Sequence, residues 1–270
     1  MILRMKPQPG IQVRKIRAGG VAMLILQPKN SGDDPKPALL WIHGGGYVVG
    51  MKEMVYISRA ADLVAKFGIT VVSPGYRLAW QSPYPAALID CYRTLLFMKQ
   101  YADEFRIDPE QIMVGGESAG GGLAAAVCML AKDRGEVKIA WQFPLYPMLS
   151  NIDTETSRNN HGRIWNTRRN HLGWRLYLRG SAKRNVSAYA SPANREDFRG
   201  LPPCYTFVGD GEPFYAETLE YVRKLQEARV KADVDVYHTD MHAFDMLRPE
   251  EEPGREAIRR FEEHFRKAIR

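Results

Sequence analysis

The sequence predicts an α/β fold, a mostly parallel central sheet flanked by helices. Three observations point there. Short apolar runs bounded by turn residues alternate with longer stretches of helical period. No internal repeat or low-complexity tract breaks that rhythm. A chain of 270 residues is long enough for one large domain with a buried core, and the reading takes 1–270 as a single domain. Contents of 45% apolar and 26% charged residues are ordinary for a globular chain and argue against extensive disorder.

In order along the chain, strands are expected at Val21 to Gln27 and Ala38 to Ile42. The Pro-Lys-Asn-Ser-Gly-Asp-Asp-Pro stretch between them has the composition of a hairpin connection. A helical stretch from Glu53 to Phe67 closes at Gly68 and is followed by the β-branched run Ile69 to Ser73, which Pro74-Gly75 ends. A helix from about Ala86 to Tyr101 leads to a strand at Gln111 to Val114, a glycine-rich turn and an Ala-rich helix through Leu123 to Ala131. Later strands are expected at Ile139 to Phe143, Cys204 to Val208 and Asp233 to Tyr237. Ala216 to Ala228 and Arg255 to Ala268 have amphipathic helical patterns. Between Pro147 and Pro203 the alternation lapses, so 148–190 reads as an insertion over the carboxyl edge of the sheet.

The formal charge of +7 is concentrated there. Arg158, Arg163, Arg168, Arg169, Arg175, Arg179, Lys183, Arg184 and Arg195 occur with no Asp or Glu between Ser157 and Arg195. Such a run attracts anionic substrates or surfaces, but long basic side chains over a helix more often form a solvated face that covers apolar area. No nucleic-acid motif accompanies the charge, so no nucleic-acid partner is expected. The N-terminus, Met1 to Pro7, has no signal-like apolar run, and no membrane-spanning stretch occurs, which makes a cytoplasmic location the simplest expectation. Cys91, Cys128 and Cys204 are odd in number and widely spaced, so they read as buried thiols rather than a disulfide or zinc framework.

Gly116-Glu117-Ser118-Ala119-Gly120 follows an apolar strand and opens a helix, the context that a Gly-x-Ser-x-Gly nucleophile elbow requires. The flanking glycines have a steric reason: positions two before and two after the serine approach too closely for side chains. A second signal, His43-Gly44-Gly45-Gly46-Tyr47, directly follows the Ala38 to Ile42 strand. Its unobstructed backbone N–H groups suit an oxyanion hole, completed by the Ala119 N–H. A base is then needed. Of six histidines, His242 lies in the loop after the last strand, where this fold carries its catalytic histidine. His238 sits at the strand end and reads as packed or solvent-facing, and His264 reads as a solvated residue of the last helix. The acid should follow the Cys204 to Val208 strand, where Asp210 and Glu212 both qualify by position.

These residues resemble the bacterial hormone-sensitive-lipase-like carboxylesterases of the α/β-hydrolase fold. The likeness extends through Tyr76-Arg77-Leu78-Ala79, Tyr84 to Asp90, Leu145-Tyr146-Pro147, Leu201-Pro202-Pro203 and His242-Ala243-Phe244, nearly the whole chain. The resemblance implies Glu212 as acid, because Glu212-Pro213-Phe214-Tyr215-Ala216-Glu217 aligns with the family's Asp-Pro-Leu-x-x-Glu segment. A purely structural role for Glu212, capping the helix entered by Pro213, would leave Asp210 as the alternative acid. Family pattern further implies Gly45 and Gly46 as first oxyanion donors, with His43 and Gly44 shaping the loop. The departures are Trp80 where proline is frequent, Ala243 where glycine is frequent, and Glu117 where aspartate is usual. The first strand is expected within about twenty residues of the start, where the family carries a longer arm, so the resemblance implies a reduced helical cap and a more open pocket.

The expected reaction is hydrolysis of short-chain, acetyl-type carboxylic esters through an acyl-enzyme at Ser118, with a small-molecule ester as partner and no metal or organic cofactor needed. Amide or thioester hydrolysis would use the same groups, and a non-catalytic ligand-binding homologue is the rival from another class. The sequence does not choose between monomer and homodimer.

Overall fold

A computed structural model describes residues 6–30, 32–181 and 185–269. Met1 to Met5 of the N-terminal reading, and Lys183 and Arg184 of the basic segment, lie outside the described residues.

The expected α/β architecture is present as an eight-stranded sheet with helices on both faces. The strands are β1 (Ile11–Ala18), β2 (Val21–Pro28), β3 (Lys36–Ile42), β4 (Thr70–Gly75), β5 (Ile107–Glu117), β6 (Gln142–Leu145), β7 (Cys204–Gly209) and β8 (Ala232–Tyr237). Their spatial order is β1-β2-β4-β3-β5-β6-β7-β8, with β3 to β8 parallel and β1 and β2 antiparallel. Side chains alternate across β3. Ala38, Leu40 and Ile42 enter the core on one face, while Leu39 and Trp41 enter the core on the other.

Helices α1 (Arg59–Phe67), α2 (Ala86–Gln100), α3 (Ala119–Arg134), α4 (Thr167–Tyr177), α5 (Tyr215–Glu227), α6 (Phe244–Leu247) and α7 (Gly254–Ala268) complete the chain. Leu95 of α2 and Val127 of α3 share a cluster with Leu40 and Val114. Leu63 of α1 and Phe261 and Phe265 of α7 pack with Leu39, Trp41, Met113 and Phe143 on the opposite face. Arg77 donates twice to Asp90, Nε to Oδ2 and Nη2 to Oδ1, each at 2.8 Å, tying the chain that follows β4 to α2.

Several expectations are corrected. The hairpin joins β1 to β2 through Gly19-Gly20, both at positive φ, whereas β4 lies between β2 and β3 and keeps those two apart. β1 was not expected as a strand: its Gln-Val-Arg-Lys-Ile-Arg sequence carries three cations and no regular two-residue alternation, as befits an edge strand. Pro74 and Gly75 do not end β4 but pair with Met23 and Ala22 at its antiparallel side. The 53–67 stretch divides at Ser58, whose hydroxyl accepts from the Ala60 N–H and caps α1. The sheet ladder of β6 begins at Gln142 rather than Ile139. His264 is not solvated: it is 8% exposed and stacks on Tyr205 at 3.9 Å. All three cysteines are buried and unpaired, as expected.

Candidate active site

Five strand ends of the carboxyl edge converge on one place. Beyond β3 comes the His43 to Gly46 loop, beyond β5 comes Ser118, and the turns after β6, β7 and β8 carry Tyr146, Glu212 and His242. Ligand sites of parallel sheets collect at this edge, where the loops leave the sheet.

Ser118 has φ 56° and ψ −119°, an unfavourable conformation for a residue with a Cβ. It is held by crowding and by hydrogen bonds. A Cβ at Gly116 would lie 2.6 Å from Gly120 O, and one at Gly120 would collide with Ile42 O. The Ser118 N–H donates to Leu145 O at 3.0 Å, and Ser118 O accepts from the Gly122 and Met148 N–H groups, each at 3.0 Å. Ser118 Oγ lies 2.8 Å from His242 Nε2. The other imidazole nitrogen, Nδ1, hydrogen-bonds Glu212 Oε2, while Glu212 Oε1 accepts from the Gly209 N–H at 2.8 Å. Glu212 is fully buried, so both carboxylate oxygens are satisfied without water.

Asp210 turns away from this group. Its carboxylate meets His238 Nδ1 at 2.8 Å and the Thr239 N–H at 3.1 Å on the surface. The exposed His238 imidazole is pushed up by this hydrogen bond to Asp210. Glu212 does not cap α5, whose N-cap has no side-chain hydrogen bond.

In the glycine loop, Gly45 and Gly46 both adopt positive φ, 114° and 59°. A Cβ on Gly45 would collide with Val49 O, and one on Gly46 would collide with the Trp165 ring. Ala119 opens α3, so its N–H has no intrahelical acceptor. His43 is buried behind the loop: its Nδ1 meets Gly44 O at 2.8 Å and its ring stacks on Tyr76 at 4.2 Å. Burial lowers its pKa to about 4, so it is neutral. A Cβ on Gly44 would lie 3.3 Å from Ser118 Cβ, which shows how closely the two loops approach.

Residues of the 148–190 segment lean on this loop. Trp165, with its Nε1 3.4 Å from Asn170 Oδ1, covers Gly46, and Tyr177 of α4 stacks on Tyr47 at 3.9 Å. Ser118 is 6% exposed and His242 4%. The chain after β6 is tethered to α5 by Glu217, whose Oε1 accepts from the Leu149 N–H at 2.6 Å. Burial raises the Glu217 pKa to about 8. The arginines of α4, Arg168, Arg169 and Arg175, are exposed to solvent.

Three groups at the site had weak or no sequence signal. Glu117, beside the serine, is buried and its Oε1 accepts from Trp41 Nε1 at 2.8 Å. Burial pushes its pKa up to about 8. Tyr146 and Phe214 flank His242, with ring centroids 5.0 and 5.2 Å from the imidazole and nearly perpendicular planes. Among the described residues no cluster of three His, Cys, Asp or Glu side chains could hold a metal, and no helix is long and apolar enough to cross a membrane.

A family model described as the alpha/beta hydrolase fold matches residues 39–246. The carboxylic ester hydrolase LipN of Mycobacterium tuberculosis is 31% identical over 221 residues, which cover 79% of this chain and 58% of LipN. Esterase LipI of the same organism is 29% identical over 84% of this chain and 72% of its own. Among solved structures, a bacterial heroin esterase superposes with a TM-score of 0.93 and 31% identity over 100% of this chain and 87% of that one.

Proposed function

The chain belongs to the α/β-hydrolase family, and from that premise we propose that it is a serine carboxylesterase in which Ser118, His242 and Glu212 act as nucleophile, base and acid. The observation that carries the reading is the unbroken hydrogen-bond relay from Ser118 Oγ through both imidazole nitrogens to a buried carboxylate. Relatives named as carboxylic ester hydrolase and esterase support the reaction class.

In this mechanism His242 Nε2 takes the Ser118 proton as Oγ attacks an ester carbonyl carbon. Glu212 at Nδ1 keeps Nε2 free to accept and stabilises the imidazolium that forms. The carbonyl oxygen, now negative, receives hydrogen bonds from the N–H groups of Gly45, Gly46 and Ala119. The imidazolium then returns its proton to the leaving alcohol, giving an acyl-Ser118. Water, deprotonated by His242, repeats the attack and releases the acid. The strained Ser118 backbone serves this step by lifting Oγ clear of α3.

The substrate class we propose is short-chain acyl esters. Trp165 walls the oxyanion loop at Gly46, where a long acyl chain would need room. Within this reading 148–190 acts as a cap on a single hydrolase domain. Hydrolysis of p-nitrophenyl esters from acetyl to palmitoyl tests the proposal: rates should peak at short chains, and Ser118→Ala should lower kcat by about 10³-fold or more. Equal rates in the two proteins would remove Ser118 from the mechanism.

A further inference from the structure

Asp245 is a buried carboxylate that the acyl-transfer steps do not use. It lies three residues after His242, in the short helix α6, and is fully enclosed. Its Oδ1 accepts from the Tyr146 hydroxyl at 2.9 Å, and its Oδ2 faces Arg59 Nε of α1 at 3.6 Å without a hydrogen bond. Removing a carboxylate from water with one formal hydrogen bond and one long ion pair is costly, so its retention calls for a compensating role. Burial raises its pKa, consistent with that incomplete solvation.

The partner explains what it holds. Tyr146 follows β6 with φ 33°, also unfavourable for a residue with a Cβ, and its N–H donates to Phe207 O at 3.0 Å. Its ring stands nearly perpendicular to the His242 imidazole on one side, and Phe214 does the same on another. His242 itself belongs to a connection whose backbone takes an unfavourable left-handed turn at Ala243, φ 61°. Beyond Glu212 and Ser118, no other side chain hydrogen-bonds the imidazole among the described residues. Its tilt is therefore set by the flanking rings and by where the 242–245 segment is pinned.

We propose that Tyr146 and Asp245 form a positioning clamp: the hydroxyl–carboxylate bond locks the Tyr146 ring against His242 and pins the segment that carries it, so that Nε2 stays aimed at Ser118 Oγ. Neither residue touches the ester. The inference rests on the Ser118–His242–Glu212 reading, because it concerns how His242 is aimed.

The test uses the full chain and a fluorophosphonate probe, which reports the nucleophilicity of Ser118 whatever the natural ester is. Tyr146→Phe keeps the ring and removes only the hydroxyl. Its second-order labelling rate, and kcat on p-nitrophenyl acetate, should fall about 10- to 100-fold with KM little changed, the size of effect that small misplacements of reacting groups produce. Asp245→Asn, which keeps an acceptor for the Tyr146 hydroxyl, should restore most of the rate that Asp245→Ala loses. Labelling of Tyr146→Phe at the native rate per folded molecule, or equal losses in Asp245→Asn and Asp245→Ala, would overturn the clamp while leaving the triad intact. A native protein that the probe does not label at Ser118 would instead overturn the triad reading, and the clamp with it.

Discussion

Substituting Glu117 by Gln should flatten the dependence of stability on pH. Glu117 is 3% exposed, and its one hydrogen bond, from Trp41 Nε1, can be accepted equally by an amide oxygen. Burial lifts its pKa from an ordinary 4.5 to about 8, partly offset by the Trp41 bond. The unfolded chain therefore releases this proton near pH 4.5, whereas the native protein keeps it until near pH 8. Between those values unfolding releases a proton, so stability falls as pH rises, and above pH 8 the dependence levels off. A span of about 3.5 pH units at 1.36 kcal/mol each sets a ceiling near 5 kcal/mol, and relaxation around an ionised buried group brings the expected loss to about 2–3 kcal/mol. Gln cannot ionise and escapes this loss. In urea unfolding at pH 5 and pH 9, the two proteins should be close at pH 5, and the variant should be about 2–3 kcal/mol more stable at pH 9. Parallel stability–pH curves would refute the argument, since Glu217, also raised to about 8, is common to both proteins.

Glu212→Ala should lower kcat by about 10³- to 10⁴-fold, whereas Asp210→Ala, which loses only surface bonds to His238 and the Thr239 N–H, should stay near the native rate; steady-state hydrolysis of p-nitrophenyl acetate separates them. Ala243→Gly should stabilise the chain by about 1 kcal/mol, read as a rise in urea midpoint, because Ala243 occupies the left-handed region at φ 61°. Trp165→Ala should shift the chain-length optimum from acetyl or butyryl toward longer acyl groups, because the indole packs on Gly46. An unchanged optimum would show that the acyl chain runs elsewhere.

The sheet was legible because its buried strands are short apolar runs and its crossover helices have helical period. What misled was local. β1 looks charged because Arg14, Lys15 and Arg17 are exposed along it, and the hairpin-like composition of residues 28–35 says nothing about which strand lies next to β2 in space. His264 sits among charged neighbours in sequence, yet α7 turns its imidazole onto Tyr205. At the site, the glycine loop, the elbow and the late histidine carry motifs with steric or chemical causes, and the structure brings those positions together. Position along the chain left Asp210 and Glu212 level; the direction in which each side chain leaves a tight turn separates them, and that is a three-dimensional property. Tyr146 and Asp245 are 99 residues apart, so their bond had no local signature beyond the Leu145-Tyr146-Pro147 segment.

The position of α7 bears on how the chain comes to fold in a cell. Phe261 and Phe265 roof Leu39, Trp41, Met113 and Phe143, residues of strands made long before this helix leaves the ribosome. Until it emerges, a broad aromatic and aliphatic face of the central strands has no cover, a state prone to aggregation and a natural target for chaperones. His242 also precedes α7 by only a short connection, so the proposed base and the helix that covers that face leave the ribosome close together.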